Sequence, residues 1–270
     1  MMARLDRLWR LAATGLCMAV FCLCSLLCSL FVFPLVLCWP RTAARQRMVT
    51  AFIHWAFCAL VAALRGFGVM RLETSGASAL RERCRPAIVV ANHPTWLDVV
   101  VLLSLVPSAC CIAKSSLWRN PCFWAIVRAA QYVSNADPVA LIESGSRQLA
   151  NGYTVIVFPE GTRSPALGRL HPFSRGFAYM ALKADAAILP VVMDCDPPAF
   201  TKAQRWYHVP SRVFYMRVKV LDPVDARGLA ARTATPAHAA RTVASAIETS
   251  ILYHLFDHGF FKTGTQAVSD

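Results

Sequence analysis

The sequence predicts an α/β domain, a mostly parallel sheet flanked by helices, preceded by an N-terminal apolar helical membrane anchor. Short apolar, β-branched runs alternate with helical patterns from residue 87 to residue 258, which is the signature of a layered α/β architecture. Two polar motifs each follow such a run directly, and α/β sheets gather ligands beyond the carboxyl ends of their strands. The anchor is predicted by Leu11–Trp39, 29 residues without a charge, where about 20 apolar residues suffice to span a bilayer core as a helix.

In order along the chain, that first run is too long for a secretory apolar region and lacks a clear cleavage site. Pro34 is expected to kink or end its helix. Arg4, Arg7 and Arg10 precede the run and Arg41, Arg45 and Arg47 follow it, so the positive-inside rule assigns no orientation. A single span, a helical hairpin and an interfacial helix all fit. Val49–Leu64 is short for a span and reads as a second interfacial helix packed on the first. Residues 1–70 are thus the anchoring helices and 71–270 the α/β domain. Residues 71–86 are a polar connection with a short strand at its start.

Within the domain, Ala87–Ala91 is a buried strand. Pro94, suited to a first helical turn, then leads into the helical stretch VVVLLSL. Ala109–Ala113 is the next strand, residues 121–130 a helix, Tyr132–Ser134 a short strand and Val139–Asn151 a helix ending against Gly152. Tyr153–Phe158 is a buried strand and Arg175–Ala184 a helix. Ala187–Met193 contains Pro190 and so reads as an edge strand or a bulge. Arg212–Val220 alternates as a half-exposed strand, and Ala237–His258 closes the domain as a helix.

Composition narrows the function. Hydrophobic residues make up 56% and charged residues 16% of 270, which excludes a disordered chain. Lys plus Arg number 28 against 15 acidic residues, a formal charge of +13. Eleven of the basic residues and three of the acidic ones fall in residues 1–90, beside the most apolar segment. A basic, apolar chain points to a membrane surface or an anionic substrate. Nucleic acid ranks low as a partner, because no zinc-finger spacing, basic-region heptad or RNA-binding aromatic signature accompanies the charge. Of the 11 cysteines, Cys17, Cys22, Cys24, Cys28 and Cys38 lie in the apolar run. They read as small buried apolar side chains kept reduced, without metal-ligand spacing.

The chemistry is concentrated in two loops. His93 precedes Asp98 by five residues across a strand-to-helix turn. The carboxylate would hold one ring nitrogen and support the charge that develops when the other takes a proton. No Gly-x-Ser-x-Gly elbow accompanies the pair, and nearby cysteines have apolar neighbours that leave thiols inert. Direct attack by a bound alcohol is therefore simpler than an acyl-enzyme. The second loop is Glu160-Gly161-Thr162-Arg163. Gly161 allows a tight turn that exposes backbone N–H groups, Arg163 offers a fork for phosphate or carboxylate, and Glu160 would hold a substrate hydroxyl or a salt bridge to Arg163.

Asn92-His93-Pro94-Thr95-Trp96-Leu97-Asp98 resembles the first motif of the lysophospholipid and 1-acylglycerol-3-phosphate acyltransferase family, and Phe158-Pro159-Glu160-Gly161-Thr162-Arg163-Ser164 its third. Phe173-Ser174-Arg175-Gly176 and Ile188-Leu189-Pro190-Val191-Val192 resemble the segments that follow, in family order over roughly residues 85–195. The resemblance implies a membrane-associated O-acyltransferase. It would move a fatty acyl group from a thioester of coenzyme A or acyl carrier protein to a hydroxyl of a lysophospholipid-like lipid, with His93 as general base and Asp98 its partner. It implies Lys114 and Arg175 as phosphate or donor contacts, no cofactor and no metal, membrane lipids as partners, and a catalytic domain on the cytoplasmic face. One position departs: Asn135 stands where the second motif has an Arg, and a neutral amide cannot replace a guanidinium fork, so the acceptor stays open. The alternatives are a non-catalytic lipid-binding protein and a thioester hydrolase of the same fold.

Overall fold

The computed structural model describes residues 2–82, 86–166 and 168–256. The central feature is a seven-stranded sheet. Its strands are β1 (Met70–Ser75), β2 (Ala87–Ala91), β3 (Ala109–Ala113), β4 (Val133–Ser134), β5 (Thr154–Val157), β6 (Ala187–Asp196) and β7 (Phe214–Val220). They lie in the order β1-β7-β6-β2-β5-β3-β4. Every pairing is parallel except β6 with β7. The mostly parallel α/β sheet read from the sequence is the one observed.

Helices cover both faces. Side chains alternate along the strands, so Val89, Ala91, Leu189 and Val191 join one core, and Ile88, Val90, Ile188 and Val192 the other. The first core is covered by α1 (Met2–Leu27), α2 (Phe33–Cys38), α3 (Ala43–Gly66), α5 (Leu97–Leu105) and α6 (Trp124–Ala129). The second is covered by α7 (Pro138–Ala150), α8 (Gly176–Ala184), α9 (Ala226–Ala230) and α10 (Pro236–Phe256). A short α4 (Ser78–Glu82) follows β1, and a 3₁₀ turn spans Ser115–Arg119. Residues 257 and 258 of the expected last helix lie outside the described residues.

Local chemistry explains the boundaries. Asp137 caps α7 by accepting from the N–H groups of Val139 (2.7 Å) and Ala140 (2.9 Å), with Pro138 at the first helical position. Thr42 caps α3 through Arg45 N–H. Gly145 in α7 lets α8 approach closely, since a Cβ there would sit 2.1 Å from Met180 Sδ.

Two expectations about proline change. Pro34 does not end the first helix: a π-helical turn over Cys28–Val32 precedes it, and the helix continues as α2. That wider turn relieves the clash of the ring with the preceding carbonyls. Pro190 lies in β6, an interior strand between β7 and β2, paired with Val90. Its carbonyl accepts from Leu221 N–H at 2.9 Å, so its nitrogen faces the same side. There β7 has already ended at Val220, so the missing N–H falls at the last rung of the β6–β7 pairing rather than in its middle.

The N-terminal apolar helices pack on the domain rather than standing apart from it. Ala13, Cys17, Phe33, Val49, Ile53 and Leu64 belong to the same core as β2, β6 and α5. His54 Nδ1–H bonds the Leu103 carbonyl at 2.8 Å, and Gln46 Nε2 bonds Gln148 Oε1 at 2.6 Å. As expected, the second apolar segment packs on the first, with Phe33 against Phe52 and Phe21 against Phe57.

Candidate active site

The site forms where β2 and β5 run side by side. Their register, Val89 with Ile156 and Val90 with Val157, carries the loop after Ala91 and the loop after Val157 to the same sheet edge. Residues 67 apart in sequence thus meet. Pro94 lies in the turn rather than in the helix, which begins at Leu97.

His93 and Asp98 are brought together as expected: Nδ1–H donates to Asp98 Oδ2 at 2.8 Å. Asp98 is fully buried, whereas the His93 side chain keeps 16% of its surface. Two further bonds hold the carboxylate, from Thr95 N–H to Oδ2 (2.7 Å) and from Thr95 Oγ1–H to Oδ1 (2.7 Å). Both oxygens are therefore engaged by donors. With Nδ1 held as a donor, the unprotonated Nε2 is the basic atom. The ring lies against Phe158, centroids 4.4 Å apart.

Glu160 takes a different place from the one expected. Its Oε1 accepts from His93 N–H (3.0 Å) and Ser164 Oγ–H (2.7 Å), and its Oε2 from His171 N–H (2.9 Å). It forms no ion pair with Arg163 among the described residues. The buried carboxylate instead pins the first motif to the third, helped by Ser164 N–H donating to the His93 carbonyl at 2.7 Å. Burial of an acceptor among three donors is what keeps such a group stable.

Gly161 has φ of 65°, the left-handed region that favours glycine. Its N–H closes a turn on Phe158, leaving Thr162 and Arg163 beyond it, both partly exposed. Arg163 Nη1 donates to the carbonyls of Phe200 and Thr201, each at 3.0 Å. Lys114 is exposed just past β3, and Arg175 is exposed at the start of α8. Asn135 receives Ser115 N–H on its Oδ1 at 3.1 Å and so shapes the turn beside Lys114.

Sequence reasoning missed several positioning groups. Asn92 is 2% exposed. Its Nδ2 donates to the Met193 carbonyl (2.8 Å) and its Oδ1 accepts from Met193 N–H (2.7 Å), tying the loop to β6. Its position as first residue of the motif was the available signal. Thr95, three residues before Asp98, carried the spacing of a local side-chain clasp. Asp194 and Arg217 had no local signal. They pair across β6 and β7 at 3.2 Å, and Arg217 also reaches Glu73 on β1. Burial pushes the Asp194 carboxyl up, with Arg217 opposing it.

The thiols make no nucleophile here. Burial pushes Cys111 up to about 12 and raises Cys110 and Cys195 as well. Ten cysteines among the described residues are free. No cluster of three His, Cys, Asp or Glu side chains suited to a metal occurs among the described residues.

An α/β sheet with a carboxylate-held imidazole at its carboxyl edge and no activated nucleophile among the described residues suits acyl-transfer chemistry, and an acyltransferase family model matches residues 71–194, from β1 into β6. The matched stretch holds both motifs and amounts to just under half of the chain. Over 167 residues it is 32% identical to 1-acyl-sn-glycerol-3-phosphate acyltransferase alpha of Mus musculus, covering 59% of this chain and 57% of that protein. Over 231 residues it is 27% identical to the beta protein of Homo sapiens, covering 80% and 73%. The chain thus aligns with little more than half the length of the alpha relative. The crystal structure of 1-acyl-sn-glycerophosphate (LPA) acyltransferase, PlsC, from Thermotoga maritima shares the fold. Its TM-score is 0.65 at 22% identity, covering 94% of this chain and 96% of that one.

Proposed function

We propose that the protein transfers a fatty acyl group from a thioester of coenzyme A or acyl carrier protein to a hydroxyl of a lysophospholipid-like acceptor. The observation that carries this is the bond from His93 Nδ1 to buried Asp98, which leaves Nε2 as the free basic atom of a partly exposed ring. Nε2 takes the acceptor's hydroxyl proton as the oxygen bonds to the thioester carbon. The carbon–sulfur bond then breaks, and the proton passes to the departing thiolate. Arg163, Lys114 and Arg175 supply positive charge at the same edge for a phosphate or a donor. Thr162 precedes Arg163 in the same loop, and the relatives named for 1-acyl-sn-glycerol-3-phosphate acylation support a phosphorylated glycerolipid as acceptor.

Membrane association follows the same reading, with α1 and α3 lying along the interface and the catalytic domain on the cytoplasmic face. The domain touches this first helical run at two separated points: Arg10 of α1 donates to the Ser211 carbonyl, and Ser29 Oγ, in the π-helical turn that continues α1, accepts from Ala125 N–H. Those contacts are about 28 Å apart along a helix rising 1.5 Å per residue. A span would draw the domain's backbone into hydrocarbon, which leaves polar groups unsatisfied. Leu5, Leu8, Leu16 and Leu23 form an exposed stripe at helical spacing on α1, and Met48, Phe52 and Trp55 another on α3.

His93→Ala, assayed with a radiolabelled acyl thioester and lysophosphatidic acid, is expected to lose acyl transfer while keeping its fold and membrane binding. Full activity in that variant refutes the mechanism. Free fatty acid as the sole product of the unaltered protein identifies a hydrolase instead, and no acyl product with any lipid acceptor identifies a binding protein.

A further inference from the structure

We infer that the segment between β6 and β7 is a second membrane-docking element, which inserts Trp206 and Tyr207 at the headgroup level of an anionic bilayer. The inference rests on the interfacial placement of α1 proposed above.

Residues 197–213 carry Lys202, Arg205 and Arg212 and no acidic residue. Trp206 is 53% and Tyr207 40% exposed, an unusual display for two large rings in a segment that borders a buried core. Local contacts hold both rings outward. Trp206 meets Tyr207 edge-on at 5.7 Å, Tyr207 meets His208 at 4.9 Å, and Arg205 Nη1 donates to Tyr207 Oη at 2.6 Å. Aromatic rings with a polar tip, flanked by cations, are the composition that settles at membrane–water interfaces.

The segment is also continuous with the apolar stripe of α1. The Trp206 ring covers Gly15, where a Cβ would lie 3.4 Å from Cζ3. Gly15 flanks the row Leu8, Ala12, Leu16 and Ala19, all exposed. Arg10, on the inner side of α1, grips the Ser211 carbonyl from the same segment. Trp206 therefore widens the surface that α1 presents to lipid. At its other end the segment is held by Arg163 through the carbonyls of Phe200 and Thr201. Docking would thus seat the candidate acceptor loop against the leaflet that holds the acceptor. Arg212 is engaged by Asp196 at 3.1 Å, so Lys202 and Arg205 are the cations available to headgroups.

The test uses the full-length protein and sedimentation with phosphatidylcholine vesicles, with and without phosphatidylglycerol. Trp206→Ser/Tyr207→Ser is expected to weaken partitioning to both vesicle types by about tenfold, as loss of two buried aromatic anchors should. Lys202→Gln/Arg205→Gln is expected to leave neutral vesicles unaffected and to weaken binding to anionic ones by about 25-fold, given roughly fivefold per surface cation. Quenching of intrinsic fluorescence by brominated acyl chains should fall in Trp206→Phe relative to the unaltered protein. Unchanged melting temperatures establish that the exposed substitutions leave the fold intact. Leu8→Ser/Leu16→Ser separates the two readings. If it abolishes binding while every loop variant binds and quenches like the unaltered protein, the docking segment is refuted and the helix placement stands. If it changes nothing and the unaltered protein ignores vesicles, the interfacial reading fails and the docking segment with it.

Discussion

Asp98→Asn separates the charge of the carboxylate from its geometry. In the structure Oδ2 accepts from two N–H groups, while Oδ1 accepts from a hydroxyl. An asparagine can keep its carbonyl oxygen at the Oδ2 position and turn its NH₂ toward Thr95 Oγ1, which is able to accept. All three contacts then survive, and the His93 tautomer is unchanged. What is lost is the negative charge that would face the imidazolium formed in the proposed transfer. With charge centres about 4 Å apart and an effective dielectric near 20, that interaction is worth about 4 kcal/mol. Each 1.36 kcal/mol is tenfold in rate, so kcat should fall about a thousandfold. KM should barely move, because the neutral ground state of His93 does not draw on that charge. Steady-state assays with a radiolabelled acyl thioester read both constants, and circular dichroism checks the fold. A variant retaining kcat within about threefold, with its fold intact, refutes the argument that Asp98 supports a charged His93.

Glu160→Gln must leave one of its three donors facing an NH₂ group; because Oε1 serves two of them, the orphan is His171 N–H. We expect a loss of about 1–3 kcal/mol in stability, read by urea unfolding, and a clear fall in kcat as the His93 loop loosens. Asn92→Ala removes both bonds to Met193 in a buried site. It should lower the melting temperature by several degrees, at about 2–4 °C per kcal/mol for a chain of this size, with any residual activity unaltered in KM. Cys110, Cys111 and Cys195 should resist iodoacetamide in the native state at mildly alkaline pH while exposed Cys22 and Cys24 react. The folded Cys111 thiol ionises near 12 against an ordinary 9.0. The folded state therefore binds the proton more tightly, and stability should decline as pH rises through that window. Cys111→Ala should flatten that decline.

Local chemistry determined much of this protein. Strands β2 and β3 are short apolar runs, and both were legible to the residue because a buried strand leaves a continuous apolar string. Asp98 reaches His93 because five residues across a tight turn bring them together. That contact needs no tertiary information, and the motif that carries it could be read directly. The helix starts at Asp137 and Thr42 are likewise local side-chain caps. Strand order is different in kind. The chain makes β3 and β4 before it returns to insert β5 between β2 and β3, and no periodicity encodes that return. Only that insertion puts the Glu160 carboxylate beneath His93 N–H, where it clamps the two motifs together. The same long-range placement decides that Pro190 sits harmlessly in an interior strand and that Arg163 grips the carbonyls of Phe200 and Thr201. It also decides that the N-terminal apolar helices share a core with the sheet. The sequence could mark α1 as apolar, but which face meets the domain and which is left exposed depends on partners distant in the chain, such as Ser211 for Arg10. Pairing between distant segments is set by the summed burial of the whole fold, so it appears only once the fold is assembled.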